Sequence, residues 1–181
     1  MLKKLLISVV VLVIGFAGYV ATLPDDFRYS RSLAIKASPE VIFEKINNPK
    51  KMAEWSPWKE LDPNGTFSYE GEESGIGAIS KWSGNADLGE GIYTIIDSIP
   101  YRTVIIKLDF IRPMTASNQA EFSLTPEGEQ TLVTWSMYGK NNFIGKAMGL
   151  IFNCEKMLGD MFDKGLNNLK TISENTNNNN P

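Results

Sequence analysis

From Phe27 to Met137 the chain repeatedly places apolar or large residues at every second position, and from Phe143 the spacing changes to three and four. Phe27, Tyr29, Leu33 and Ile35 alternate with Arg28, Ser30, Ser32 and Lys36. Ala78, Ser80 and Trp82 share one parity, as do Ile92, Thr94 and Ile96, and Val104, Ile106, Leu108 and Phe110. Ala120, Phe122 and Leu124 alternate with Gln119, Glu121 and Ser123, and Val133, Trp135 and Met137 with Thr134 and Ser136. Successive side chains of a strand point to opposite faces, so each run describes a strand with one buried face. Ile99-Pro100-Tyr101-Arg102 and Thr125-Pro126-Glu127-Gly128 are turn sequences, and strands joined by such short links must be antiparallel. Between Phe143 and Ile172, residues Ile144, Met148, Ile151, Cys154, Leu158, Met161, Phe162, Leu166, Leu169 and Ile172 mark the stripe of one long amphipathic helix. A sheet with one apolar face and a helix with one apolar stripe must cover each other, which predicts an α+β domain.

A short helix interrupts this order after the first strand. Ser38 stands as N-cap, Pro39 at the first helical position and Glu40 in the first turn, with Val41, Ile42 and Ile46 as the buried stripe up to Asn47. Pro49 restarts the chain towards Glu54-Trp55-Ser56-Pro57-Trp58, where two of the four tryptophans flank a Ser-Pro step. Pro57 predicts a loop or turn there, with Trp55 packing inward and Trp58 capping the loop or lining an entrance. In the final helix, Gly145, Gly149, Gly159 and Gly165 each cost ~1 kcal/mol against Ala. They imply close packing on the sheet, or a lid-like first portion of the helix.

Residues 5–23, LLISVVVLVIGFAGYVATL, are uncharged and follow Lys3 and Lys4. As a helix this segment is roughly 28 Å long, close to the ~30 Å hydrocarbon core of a bilayer. No small-x-small cleavage site stands before Pro24, so an uncleaved transmembrane anchor is favoured over a signal peptide. The lysines on one side and Asp25-Asp26 on the other predict a cytoplasmic N-terminus and a domain in the periplasm or outside the cell. The expected organisation is residues 1–24 as anchor, 25–174 as folded domain and 175–181 as a disordered Asn-rich tail.

Composition removes several kinds of chemistry. The chain has no histidine and one cysteine, Cys154. The commonest general base, Ser-His and Cys-His nucleophiles, thiolate metal clusters and internal disulfides are therefore excluded. No metal or cofactor is expected. The net charge is −3 even with Lys3 and Lys4 included, and no basic cluster is present, so nucleic acid is not an expected partner. Among polar residues within the strands, Lys107, Asp109, Arg112, Glu121 and Tyr93 are the candidates for catalysis. Lys107, Asp109 and Glu121 lie on the parity opposite Leu108, Phe110 and Phe122, which predicts a solvated outer face.

The run IKASPEVIFEKINNPKKMAEWSPW, followed by strands and a terminal helix, resembles the START-like superfamily (SRPBCC, helix-grip, Bet v 1-like fold), in its polyketide cyclase/dehydrase-like branch. Ile35, Ala37, Pro39, Glu40, Ile42, Phe43, Trp55 and Trp58 carry the resemblance, over residues 27–172. It implies a curved antiparallel sheet gripping the C-terminal helix around a deep apolar cavity. Trp55, Trp58, Trp82, Phe110, Phe122, Trp135, Met137, Met148, Phe152 and Met161 are then the expected ligand-binding residues, although any one of them also suits an ordinary core. The expected function is non-catalytic binding of a hydrophobic small molecule or lipid by a membrane-anchored domain. A polyketide cyclase/dehydrase-type enzyme and a co-chaperone-like interaction module are the alternatives, and the oligomeric state is left open.

Overall fold

The computed structural model describes residues 1–178. Helix α1 (Leu2–Thr22) leads into strand β1 (Asp26–Ile35), helix α2 (Pro39–Ile46) and helix α3 (Pro49–Trp55). A 3-10 turn (Pro57–Leu61) precedes strands β2 (Thr66–Gly71), β3 (Ala78–Ser83), β4 (Glu90–Ile99), β5 (Thr103–Arg112), β6 (Ala116–Glu127) and β7 (Gln130–Lys140). Helices α4 (Phe143–Phe152) and α5 (Cys154–Asn178) follow. The seven strands form one antiparallel sheet in the order β1-β7-β6-β5-β4-β3-β2, so the first and last strands are neighbours. The α2–α3 segment carries the chain from the β1 edge to the far edge at β2.

The alternation read from the sequence selects the inner face on five strands. Ile35, Val104, Ile106, Phe122, Leu124, Val133 and Trp135 are buried, and Trp82 packs half-buried against the same core. Helix α5 covers them with Phe162, Leu166 and Leu169, all at most 1% exposed. Burying each such side chain contributes roughly 1.5–3 kcal/mol. Polar ties fix the helix along β1. Arg31 pairs with Asp163 at 3.4 Å, and the Lys36 amide donates to Glu174 at 2.9 Å.

Five expectations need correction. Strand β4 buries Tyr93 and Ile95, whereas Ile96 is exposed and Ile92 and Thr94 are half-buried. Both parities of this strand are apolar: Ile96 lies outward by alternation from buried Ile95, and a register shift between Ile95 and Asp97 reverses the parity only beyond it. The Trp55–Trp58 segment is not a loop throughout: only Ser56 is irregular, and a 3-10 turn follows it. Trp55 closes α3 and Pro57 opens the 3-10 turn, because proline is well suited to the first helical position, where its missing N–H is not needed. The C-terminal helix is two helices, broken at Asn153 in the left-handed region (φ 45°). Asparagine tolerates that conformation, and its Oδ1 accepts the Lys156 amide of the next helix. Strand β2 was not foreseen, although Phe67 and Tyr69 alternate with Ser68 and Glu70. Finally, α5 continues through Asn178, with Thr176 Oγ1 bonded to the Ile172 carbonyl, so it enters the segment expected to be disordered. Residues 179–181 of that segment lie outside the described residues.

Two helix glycines show what close packing requires. A Cβ on Gly165 would stand 2.6 Å from Trp135 Cζ3 and 3.0 Å from Pro57 Cδ. One on Gly149 would meet nothing within 4 Å. The same substitution therefore has opposite signs. Gly165→Ala is expected to lower thermal stability by ~1–3 kcal/mol through overpacking. Gly149→Ala is expected to hold or raise it by up to ~1 kcal/mol through helix propensity. Thermal unfolding of both variants checks the pair.

Candidate functional site

The centre of the grip is filled by aromatic rings from four elements. Trp55 from α3, Phe122 from β6, Trp135 from β7 and Phe162 from α5 meet there. Trp55 is 1% exposed and its Nε1 donates to the Lys45 carbonyl at 3.1 Å. Its ring stands edge-on to Phe122 at 5.9 Å and to Trp135 at 5.7 Å. Trp135 stacks on Phe162 at 4.5 Å and 18°. The Asn168 side chain donates to the Trp55 carbonyl at 3.1 Å, tying α5 to the end of α3. Met137 is buried nearby in sequence on β7, and Trp58 packs half-buried against the same core.

A second aromatic group lies towards the far edge of the sheet. Trp82 meets Phe110 edge-on at 5.8 Å, and the Trp82 indole lies so close over Gly91 that a Cβ there would collide with it. Both rings are half-buried. Met148 and Met161 are half-buried on α4 and α5, and Phe152 is 59% exposed. The ten expected ligand-binding residues therefore do not line one cavity. Trp55, Phe122 and Trp135 are brought together as packed core, Trp82 and Phe110 form a separate pair, and Phe152 points away from both. Large rings fill a space that the alternation alone cannot distinguish from an empty one.

Two recesses flank the start of β1. One, of about 600 Å³, opens at the end of the sheet, with Arg28, Lys107, Gln119, Tyr138 and Lys140 among its lining. Its charges are already engaged in part: Arg28 reaches Glu121 at 3.0 Å and lies over the Tyr138 ring, and Lys107 pairs with Asp109 at 2.9 Å. The other, of about 280 Å³, lies between β1 and α4. Leu23, Pro24, Phe27 and Tyr29 form one side, and Gly149, Leu150 and Lys146 the other. Phe27 and Tyr29 belong to the inner-face parity, so this second recess continues the concave side of the sheet. Burial, reinforced by Cys154 and Glu155, raises the Tyr29 phenol above its ordinary range.

Lys107, Asp109 and Glu121 occupy the outer side in ion pairs, as the parity test requires. Arg112 shares the parity of Phe110, but the register shift at Glu90/Gly91 carries it to the exposed side, where it pairs with Glu90 at 2.7 Å. Tyr93 is the exception: it is 7% exposed on the inner face, and its hydroxyl has no hydrogen-bond partner. Burial pushes its phenol well above the usual range, so it stays protonated and available as a donor. Asn118 was missed from sequence. It shares the parity of Ala120 and Phe122, and a polar residue in an apolar set was the available signal. Its Oδ1 is also buried without a partner. Tyr93 and Asn118 stand opposite Leu108 on its two sides, on β4 and β6. Among the described residues no group of three His, Cys, Asp or Glu side chains is placed to hold a metal.

A curved seven-stranded antiparallel sheet closed on a long C-terminal helix is the helix-grip, Bet v 1-like fold. The profile of the family described as "Polyketide cyclase / dehydrase and lipid transport" matches residues 26–174, and the chain belongs to that family. Solved structures agree at the level of fold. Protein CV1439 from Chromobacterium violaceum is 16% identical with a TM-score of 0.57, over 84% of this chain and 99% of that one. Major latex-like protein 151 from Panax ginseng is 17% identical with a TM-score of 0.55, over 82% and 97%. A protein of the dynemicin biosynthetic locus is 14% identical with a TM-score of 0.53, over 80% of this chain and 46% of its own. No curated protein matches.

The unpartnered Tyr93 hydroxyl yields a test that separates stability from function. Leaving a buried donor unmade costs roughly 1–3 kcal/mol, so Tyr93→Phe is expected to unfold no lower than the parent and up to that much higher. A Tyr93→Phe variant clearly less stable than the parent, by thermal unfolding, would show that the hydroxyl has a structural partner.

Proposed function

We propose that the protein binds a hydrophobic small molecule or lipid without catalysis, as a domain anchored to a membrane by α1 and held on its extracytoplasmic side. The observation that carries the reading is the recess between Phe27 and Tyr29 of β1 and Gly149 and Leu150 of α4, which opens beside the end of an apolar 21-residue helix. Family membership supports a ligand-binding use of the fold. Tyr93 and Asn118 offer a donor and an acceptor on an otherwise apolar inner face, as sites for apolar ligands with one polar group require. The ion-paired outer face offers no comparable acid/base arrangement.

The full chain, purified in detergent, is expected to carry an extractable apolar molecule visible by native mass spectrometry. Gly149→Phe, which fills the recess from open space, is expected to reduce that occupancy severalfold while thermal unfolding stays near the parent. An empty protein, whose tryptophan emission is unmoved by fatty acids, phospholipids and isoprenoids, would overturn the reading. A cyclase/dehydrase-type enzyme is the second reading, favoured only by the buried phenol of Tyr93. It requires turnover of a polyketide-like chain that Tyr93→Phe abolishes.

A further inference from the structure

Helix α4 is inside out. Its sequence, FIGKAMGLIF, puts Lys146 and Gly149 towards one side and spreads Phe143, Ile144 and Phe152 around the rest of the circumference. A surface helix ordinarily turns its apolar stripe to the core. Here Lys146 and Gly149 line the recess against β1, and only 9% of the Lys146 side chain is exposed. Phe143, Ile144 and Phe152 are 48%, 58% and 59% exposed, and Met157 in the first turn of α5 adds to the same region of chain. The left-handed Asn153 separates α4 from the buried part of α5, so these side chains are not drawn into the core.

The position of this helix is fixed against the end of α1. Lys146 Nζ donates to the Leu23 carbonyl at 3.0 Å and to Asp25 at 2.9 Å, which holds the Asp25 carboxyl below its usual range. Helix α1 touches α4, and its one buried residue, Val20, lies in its last turn. A 21-residue helix is roughly 31 Å long, close to the ~30 Å hydrocarbon thickness, so both its ends fall at the bilayer surfaces. Whatever surrounds the last turn of α1 therefore also meets α4.

We propose that α4 lies in the membrane interface, with its outward apolar face buried among the lipids of the leaflet where α1 ends. The proposal rests on the reading of α1 as a membrane span. Interfacial helices insert their apolar face roughly 5–10 Å into the boundary between headgroups and acyl chains. At that depth the recess between β1 and α4 opens onto the lipid surface. An apolar ligand then passes between leaflet and protein without crossing water.

The test uses the full-length protein in phosphatidylcholine/phosphatidylglycerol vesicles, with tryptophan added at Phe152→Trp or, separately, at Leu12→Trp in the middle of α1. The emission added by Phe152→Trp is expected to be blue-shifted, and to lose most of its intensity when the acyl chains are brominated near the interface. Leu12→Trp is expected to be quenched by bromines deep in the chains. If Leu12→Trp is quenched and Phe152→Trp emits as a wet indole, the anchor stands and the interfacial placement of α4 falls. Blue-shifted Phe152→Trp emission that bromine leaves untouched means that protein covers α4, for instance a second copy, and also overturns the proposal. If Leu12→Trp itself is unquenched, the span reading and this proposal fall together.

Discussion

The stacking of Trp135 on Phe162 is the contact on which the rest of the domain depends. It is where the last strand meets the last helix, and Gly165 one turn further on leaves room for the indole and for Pro57 beneath the same helix. Trp55 and Phe122 complete the group edge-on, so α3, β6, β7 and α5 share one junction. Such ring pairs add about 0.5–1.5 kcal/mol each beyond the area they bury. Without the junction, α5 would keep Leu166 and Leu169 in the core but lose the ring contacts that join it to β7, and the exposed Arg31–Asp163 pair would contribute little in their place.

Once α5 is docked there, the chain before it has fewer options. The helical hydrophobic pattern runs on from α4 to α5, yet only the second part finds the sheet. Asn153 turns the first part away, so Lys146, Gly149 and Leu150 border the recess beside β1 while Phe143, Ile144 and Phe152 stay exposed. A grip filled at one end by rings and left open at the other is thus a single arrangement with two halves. The filled half holds the fold together. The open half leaves the recess beside β1.

Much of the domain was legible because each strand carries its own pattern. Val133, Trp135 and Met137 are large and their neighbours polar, so the inner face of β7 was unambiguous. In β4 the pattern failed because Ile92, Tyr93, Ile95 and Ile96 are all large and mainly apolar, so alternation alone does not choose between the two faces. The break at Asn153 left no mark, since an asparagine within a helical stripe is compatible with either continuation. Tryptophans could be placed inward, but whether rings fill a cavity or line it depends on how four distant segments meet. Asn118 was readable by the same alternation, as a polar residue in line with Ala120 and Phe122.

The pairing of β1 with β7 has a consequence for the order of assembly. Ser30 and Ser136 share a hydrogen bond although 106 residues separate them. The first strand therefore has no partner until nearly all of the domain has left the ribosome. Contacts of such long range place a fold towards the slow end, roughly milliseconds to seconds for small domains. Throughout that interval β1 is an unpaired edge of ten residues, exposed to any other strand that passes. Arg28 and Arg31 lie on this strand, and charged side chains on an unpaired edge disfavour such pairing.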